Sequence, residues 1–458
     1  MNRLPEVSKQ ELARRARVYV RVPVALRIIG GLLFLIAVGT LLLMLPVSGA
    51  HAPLTLRQAL FTSVSALCVT GLSIITPSQD LSWFGQLVLL LEIQFGGVGF
   101  MFLVVLGLRL LRRQVSMVDR LAVRDSLGLP ENEQYSPILK RVLLSVGIIE
   151  GVGALLLWLN WRGQMDDVSI AWYAIFHSIS AFCNAGFDLF SGLPQFPQGI
   201  PHDAISLVVM GSIIVIGGLG FPVLAESVHW RPGKRLSMHT RLGLWAAFGL
   251  TIAGALGLLI AESLPGGSLT MQSIDYRIIK ALFQSASTRT AGFALGDLSG
   301  LTPAGQFILI PLMFIGSGAA SMGGGITTGT FVVLLISLWS FARGQRVPQY
   351  GRRTLPAQLM RRASAVLTVS LSVVVVATWL LLITGNGTLD QALFEVVSAF
   401  ATTGLSLSFT SQLNSFGLGV VMLMMIWGRL GALTIIFALA QRHPPEPLQY
   451  PEESIMIG

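Results

Sequence analysis

Apolar residues in this chain gather into long runs at roughly residues 24 to 45, 82 to 108, 142 to 159, 205 to 228, 242 to 261, 305 to 341, 364 to 384 and 415 to 440. Crossing a bilayer takes about 20 predominantly apolar residues, so the economical expectation is eight membrane helices. Between the two runs of each successive pair lies a segment that opens with a short, modestly apolar stretch, as at Leu56 to Leu67 and Leu389 to Phe400. Such a stretch is too short to cross, but it suits a re-entrant helix that dips in and returns. The pattern thus predicts one unit, span, re-entrant helix, loop, span, made four times.

The four short segments share a motif. Each begins with an apolar triplet, Ala59-Leu60-Phe61, Ala174-Ile175-Phe176, Ala281-Leu282-Phe283 or Ala392-Leu393-Phe394, and runs through small and hydroxyl residues to one glycine: Gly71, Gly186, Gly292 or Gly404. The Phe-to-Gly distance is 10, 10, 9 and 10 residues, and successive phenylalanines lie 115, 107 and 111 residues apart. Four copies on one polypeptide suggest four quarters around one axis, which is how a pore is built without four separate chains.

Composition and charge refine this picture. Hydrophobic residues make up 53% and charged residues 12%, against about 25% charged in an ordinary soluble domain. Of the 31 Lys and Arg residues, 25 fall in the arm to Arg27, in the 109–141, 231–241 and 343–362 connections and at Arg442, and only five in the segments carrying the motif. The positive-inside rule then puts both termini in the cytoplasm and the motif segments outside it. The net charge of +9 follows from topology and does not point to nucleic acid. Ala50-His51-Ala52 resembles a signal-peptide cleavage site, but the apolar stretch before it exceeds the usual 7 to 15 or so residues, and the first run is read as a retained span.

A cation leaving water must be given replacement oxygens, and backbone carbonyls supply them without a charge that would hold it too tightly. Glycine at the turning point permits the extended, close-packed backbone this needs. The candidate ion-binding strands are Val69-Thr70-Gly71, Asn184-Ala185-Gly186, Thr290-Ala291-Gly292 and Thr402-Thr403-Gly404. This arrangement resembles the Trk/Ktr/HKT superfamily of potassium transporters over essentially the whole chain. With one span before the first motif, it is more similar to the KtrB-type membrane subunits than to the TrkH type, which carry an additional N-terminal hairpin. The resemblance implies K+ as the transported ion, with glycine at position 71 the potassium-type residue. It also implies a homodimer packed through the apolar tail, a cytosolic nucleotide-binding RCK-type (KtrA-like) regulatory ring docked on the basic connections, and a bacterial inner-membrane location. Sodium activation stays open, and no organic cofactor is expected on this chain.

The third unit departs from the others. Its second run is interrupted by 316–329, which holds six glycines in 14 residues, too many for a straight helix at about 1 kcal/mol each relative to alanine. Non-helical backbone at membrane depth is tolerated where it lines a wet cavity or is buried in protein. The segment starts 24 residues after Gly292, and Gly428-Arg429 starts 24 after Gly404, so both are expected at one depth below the glycines. The candidate gate comprises Gly316, Gly318, Gly323, Gly324, Gly325, Thr327, Thr328 and Arg429, matching the intramembrane gating loop and arginine of the family; snorkelling is the alternative for Arg429. Gly96-Gly97-Val98-Gly99, Gly217-Gly218-Leu219-Gly220 and Gly428 suit close helix packing. Asn184, Asp188, Arg289 and Glu395 either tune ion entry or hold the loops in shape. Thr62, His177, Gln284 and Glu395, each following the motif phenylalanine, suit a helix anchor.

The expected fold is all-α, with four parallel M1-P-M2 repeats around a pseudo-four-fold pore: arm 1–23, repeats 24–112, 138–230, 240–342 and 360–441, and tail 442–458. No paired acid and base, triad or metal-ligand spacing suggests an enzyme. The alternatives are a secondary cation transporter with broken helices, which usually shows inverted repeats, and a sodium-permeable relative.

Overall fold

The computed structural model describes residues 24–99, 135–228, 230, 233, 235–351, 353–384 and 387–431. The N-terminal arm, residues 109–134 of the first basic connection and the tail 442–458 lie outside the described residues. Among the described residues regular structure is helical apart from a small hairpin, β1 (Gln349–Tyr350) and β2 (Arg353–Thr354).

Four long helices, α1 (Val24–Leu43), α4 (Tyr135–Trp161), α8 (Met238–Ser263) and α12 (Ala357–Thr384), are each followed by a shorter buried one: α2 (Leu56–Leu67), α5 (Asp167–Phe182), α9 (Ile274–Thr288) and α13 (Leu389–Phe400). A third set follows: α3 (Trp83–Gln94), α6 (Ala204–Gly218) with α7 (Phe221–Val228), α10 (Pro303–Phe314) with α11 (Thr328–Ala342), and α14 (Ser415–Leu430). Capping side chains start many of these where the apolar pattern begins. Asp166 accepts from Ser169 N at 3.0 Å, Asn414 from Gly417 N at 2.8 Å, and Thr55 and Gln58 form a capping box.

Packing runs in a closed circle. Each short helix touches the long helix before it and the third-set helix after it; α3 also packs on α5, α6 on α9, α10 on α13, and α14 returns to α2. One small-residue seam recurs in three units. Ser63, Ser178 and Ser285 donate to the carbonyls of Ile36, Glu150 and Thr251, at 3.1, 2.7 and 2.8 Å. Three residues on from each acceptor stand Gly39, Gly153 and Gly254, where an added Cβ would lie 2.6, 2.5 and 2.4 Å from the same serine oxygens. The fourth unit has the buried, apolar Val396 where the others have this serine.

Two runs are not straight helices. The 205–228 run, expected as one span, bends by 107° between α6 and α7, where Gly220 adopts φ +88°. The 305–341 run opens between α10 and α11, as its glycines predict. Among the described residues three helices, α4, α8 and α12, are long and apolar enough to cross a membrane, or four if the bent pair counts as one. The other apolar helices fall short because breaks divide them or because the described residues end.

Candidate functional site

The four motif glycines form a ring. All have positive φ: +88° at Gly71, +68° at Gly186, +76° at Gly292 and +95° at Gly404. A Cβ on Gly71 would lie 2.3 Å from the Ala185 carbonyl oxygen, on Gly186 2.5 Å from that of Ala291, on Gly292 1.9 Å from that of Thr403, and on Gly404 2.1 Å from that of Thr70. Each glycine thus abuts the carbonyl before the next one, and the fourth returns to the first. A side chain here would strain the backbone and push the neighbouring carbonyl aside, so glycine suits all four positions.

The strands entering the ring are shaped by the short helices. Val69, Asn184 and Thr402 also take positive φ, near +56°, +56° and +50°, so the sign of φ alternates toward the glycine. Thr290 does not, because the third copy is one residue shorter and turns directly from Ser287, whose carbonyl accepts from Ala291 N and Gly292 N at 2.7 and 3.1 Å. Serines that sequence reasoning passed over hold these turns. Ser65 and Ser398 accept from Gly71 N and Gly404 N at 3.0 and 3.1 Å, while Ser180 and Ser287 donate to the carbonyls of Phe187 and Phe293 at 2.9 and 2.7 Å. The signal was available, since all four stand five or six residues before their glycine.

Beyond the ring, the polar residue after the phenylalanine ties its helix to the outgoing chain in three of the four units. His177 bridges the Tyr173 carbonyl and the Asp188 carboxylate at 2.7 and 2.8 Å. Gln284 accepts from Leu295 N at 3.2 Å, and Glu395 from Ser406 Oγ at 2.7 Å and from Thr410. Thr62 makes no such bond.

On the other side of the ring lies 315–327, and it touches all four units. Met322 gives its carbonyl to Arg429 Nη1 and packs near Gly97; Gly318 N donates to the Gly218 carbonyl at 2.8 Å; Gly323 presses on the Thr290 side chain; Gly324 N donates to Thr402 Oγ1 at 2.7 Å. Gly316 packs on the Gly324 carbonyl, so the segment doubles back, with Gly325 at φ +77°. Thr327 caps α11, and Thr328 N donates to Ser317 O at 2.9 Å. Thr290 also donates to Asn184 Oδ1 at 2.9 Å, with the Asn184 amide on the Ala181 and Ile214 carbonyls. Arg429 Nη2 reaches the Gly96 carbonyl, and that of Gly97 at 3.3 Å.

The second-run glycines divide by role. A Cβ on Gly96, Gly217 or Gly428 would meet the carbonyl of Leu67, Phe182 or Phe400, at 2.3, 2.0 and 1.8 Å, so these are contacts onto the ends of the short helices. Gly220 differs, since it turns the chain against Ala319 O. Arg289 closes the end of α9 and is buried, against α8 and the start of the 315–327 segment.

A sequence model of the TrkH family, described as cation transport protein, matches residues 32–449. The chain belongs to that family. It is 33% identical to Ktr system potassium uptake protein B of Vibrio alginolyticus over 91% of each chain. It is also 33% identical to the protein of that name from Bacillus subtilis (strain 168), over 93% of this chain and 95% of the other. It is 31% identical to the potassium/sodium uptake protein NtpJ of Enterococcus hirae, over 94% and 96%. The crystal structure of the potassium transporter TrkH from Vibrio parahaemolyticus superposes with a TM-score of 0.69 at 19% identity, covering 90% of this chain and 84% of that one. That likeness is one of fold. TrkH-family membership makes this chain a membrane transport protein built mostly of helices.

Proposed function

We propose that this chain is the potassium-translocating membrane subunit of a Ktr/Trk-type uptake system, its four M1-P-M2 units and eight spans surrounding one pore. The observation that carries the reading is the closed ring, in which four glycines each abut the carbonyl before the next. Carbonyls of Val69 to Gly71, Asn184 to Gly186, Thr290 to Gly292 and Thr402 to Gly404 replace the hydration shell of K+, and α2, α5, α9 and α13 turn their partly negative C-terminal ends toward it. The 316–329 segment is the gate. It reaches all four units directly beside the ring, as a segment lying across the axis must. Arg429 holds its tip and opposes passing cations.

The relatives' names support potassium, and NtpJ's leaves sodium as a second permeant or activating ion. On the same reading the subunit sits in a bacterial inner membrane with both termini cytoplasmic, forms a homodimer and docks a cytosolic RCK-type, KtrA-like ring. Potassium and sodium flux into proteoliposomes tests the proposal, comparing the parent with Gly71→Ser. The expected result is potassium-selective flux in the parent and a larger sodium share in the variant. An unchanged permeability ratio in folded Gly71→Ser protein counts against a filter at this ring.

A further inference from the structure

The position three residues before the ring glycine is Cys68, Cys183 and Ala401 in three units, all fully buried, and Arg289 in the third. A small residue evidently suffices to pack that site. The third unit is also the one whose following helix stops, at Phe314, and opens into the glycine segment. In the other three units a glycine of the following helix rests on the carbonyl four before the ring glycine. Here Arg289 spans the gap instead. Its Nη1 donates to the Ala247 carbonyl of α8 and its Nη2 to the Gly316 carbonyl, both at 3.2 Å.

Gly316 is where the chain leaves α10 and doubles back, its Cα pressed on the Gly324 carbonyl. Ala247 lies inside α8, and its carbonyl also accepts from Thr251 Oγ1 at 2.9 Å. One end of the guanidinium fork is therefore fixed to a continuous helix and the other to the root of a segment with little helical support. The fork of arginine can satisfy two carbonyls on different elements at once, which a lysine ammonium on a flexible stem does poorly.

We propose that Arg289 is the positioning residue that fixes the root of the 316–329 segment, while Arg429, from the fourth unit, holds its tip. The proposal rests on the reading of that segment as the gate. With the root held, the tip stays beneath the ring; with the root freed, the segment swings and obstructs less.

The test uses the full chain in lipid, with Arg289→Met, which keeps bulk and removes charge, and Arg289→Lys, which keeps charge and loses the fork. Hydrogen exchange of amides 316–329 is expected to quicken about tenfold in both, with α9 and α10 unchanged, and potassium flux to rise at constant potassium-over-sodium preference. Lysine rescue to parental exchange would make Arg289 a buried charge only and overturn the proposal. So would unchanged exchange of the segment, or general loosening of α9 and α10. If Arg289→Met does not fold, Arg289→Lys still decides. Deleting Ala319 to Gly324 separates the two ideas. Raised flux on deletion with none in the Arg289 variants overturns the root assignment and keeps the gate. Unchanged flux on deletion removes the gate, and the exchange measurement alone then decides the role of Arg289.

Discussion

At the scale of single residues, the ring glycines were legible because the motif recurs at matching spacing, and repetition turns a common residue into a signal. The serines that pin the turns were marked by the same spacing, but their task was not, since a hydroxyl in a short buried helix looks the same whether it bonds a ring amide, as Ser65 does, or a long helix, as Ser63 does. The target of Arg289 was also invisible, because Ala247 and Gly316 lie 42 and 27 residues away in sequence. One titration is readable only in the fold. Burial, with the Lys280 ammonium adding to it and Asp203 opposing, lowers the His202 imidazole from 6.5 to about 4. Between those values the unfolded chain holds more protons at this site than the folded one, so its contribution to stability is complete above about pH 6.5 and declines as pH falls toward 4. The melting temperature in detergent should therefore drop between pH 7 and 5 by less in His202→Gln than in the parent; equal drops would remove His202 as the cause.

At the scale of elements, hydropathy located the helices and missed the bend between α6 and α7. An apolar run scores alike whether straight or turned, and what turns it is a contact, Gly220 against the Ala319 carbonyl at φ +88°. Gly220→Ala should cost about 1 to 3 kcal/mol through the left-handed backbone alone. Gly30→Ala on α1, where a Cβ meets nothing within 4 Å, is the control and should leave the melting temperature level or higher. Equal melting of the two variants would mean that the bend is not held there. The interrupted 305–341 run was legible, because six glycines in 14 residues leave helix little chance. What the interruption does is tested by removing the charge or the obstruction. Arg429→Ala, which leaves the ring strands' own contacts in place, is expected to raise potassium flux several-fold with little change in selectivity, and deletion of Ala319 to Gly324 is expected to raise it too, while also removing the contacts of Gly323 and Gly324 with Thr290 and Thr402. Both variants folding normally yet conducting no faster would assign Arg429 to anchoring the Gly96 and Met322 carbonyls.

At the scale of the whole molecule, the circular arrangement was foreseen from four copies of one motif, and α14 packing back on α2 closes it. The basic arm, one part of the orientation argument, and the tail with the expected dimer contact fall outside the described residues. Tyr450 to Gly458 ends in Ile455-Met456-Ile457 before the glycine, and removing Glu453 to Gly458 should weaken a homodimer, read as a lower mass in detergent and in lipid. The wide opening between α10 and α11 belongs to one unit of a covalently joined four. Four identical chains around a pore would carry any such interruption four times over, and their closing elements would switch together or in partial steps. Here a single element does the closing on the proposed reading, so conduction through one pathway should follow one all-or-none equilibrium, with two current levels and the shallow dependence of a one-unit switch.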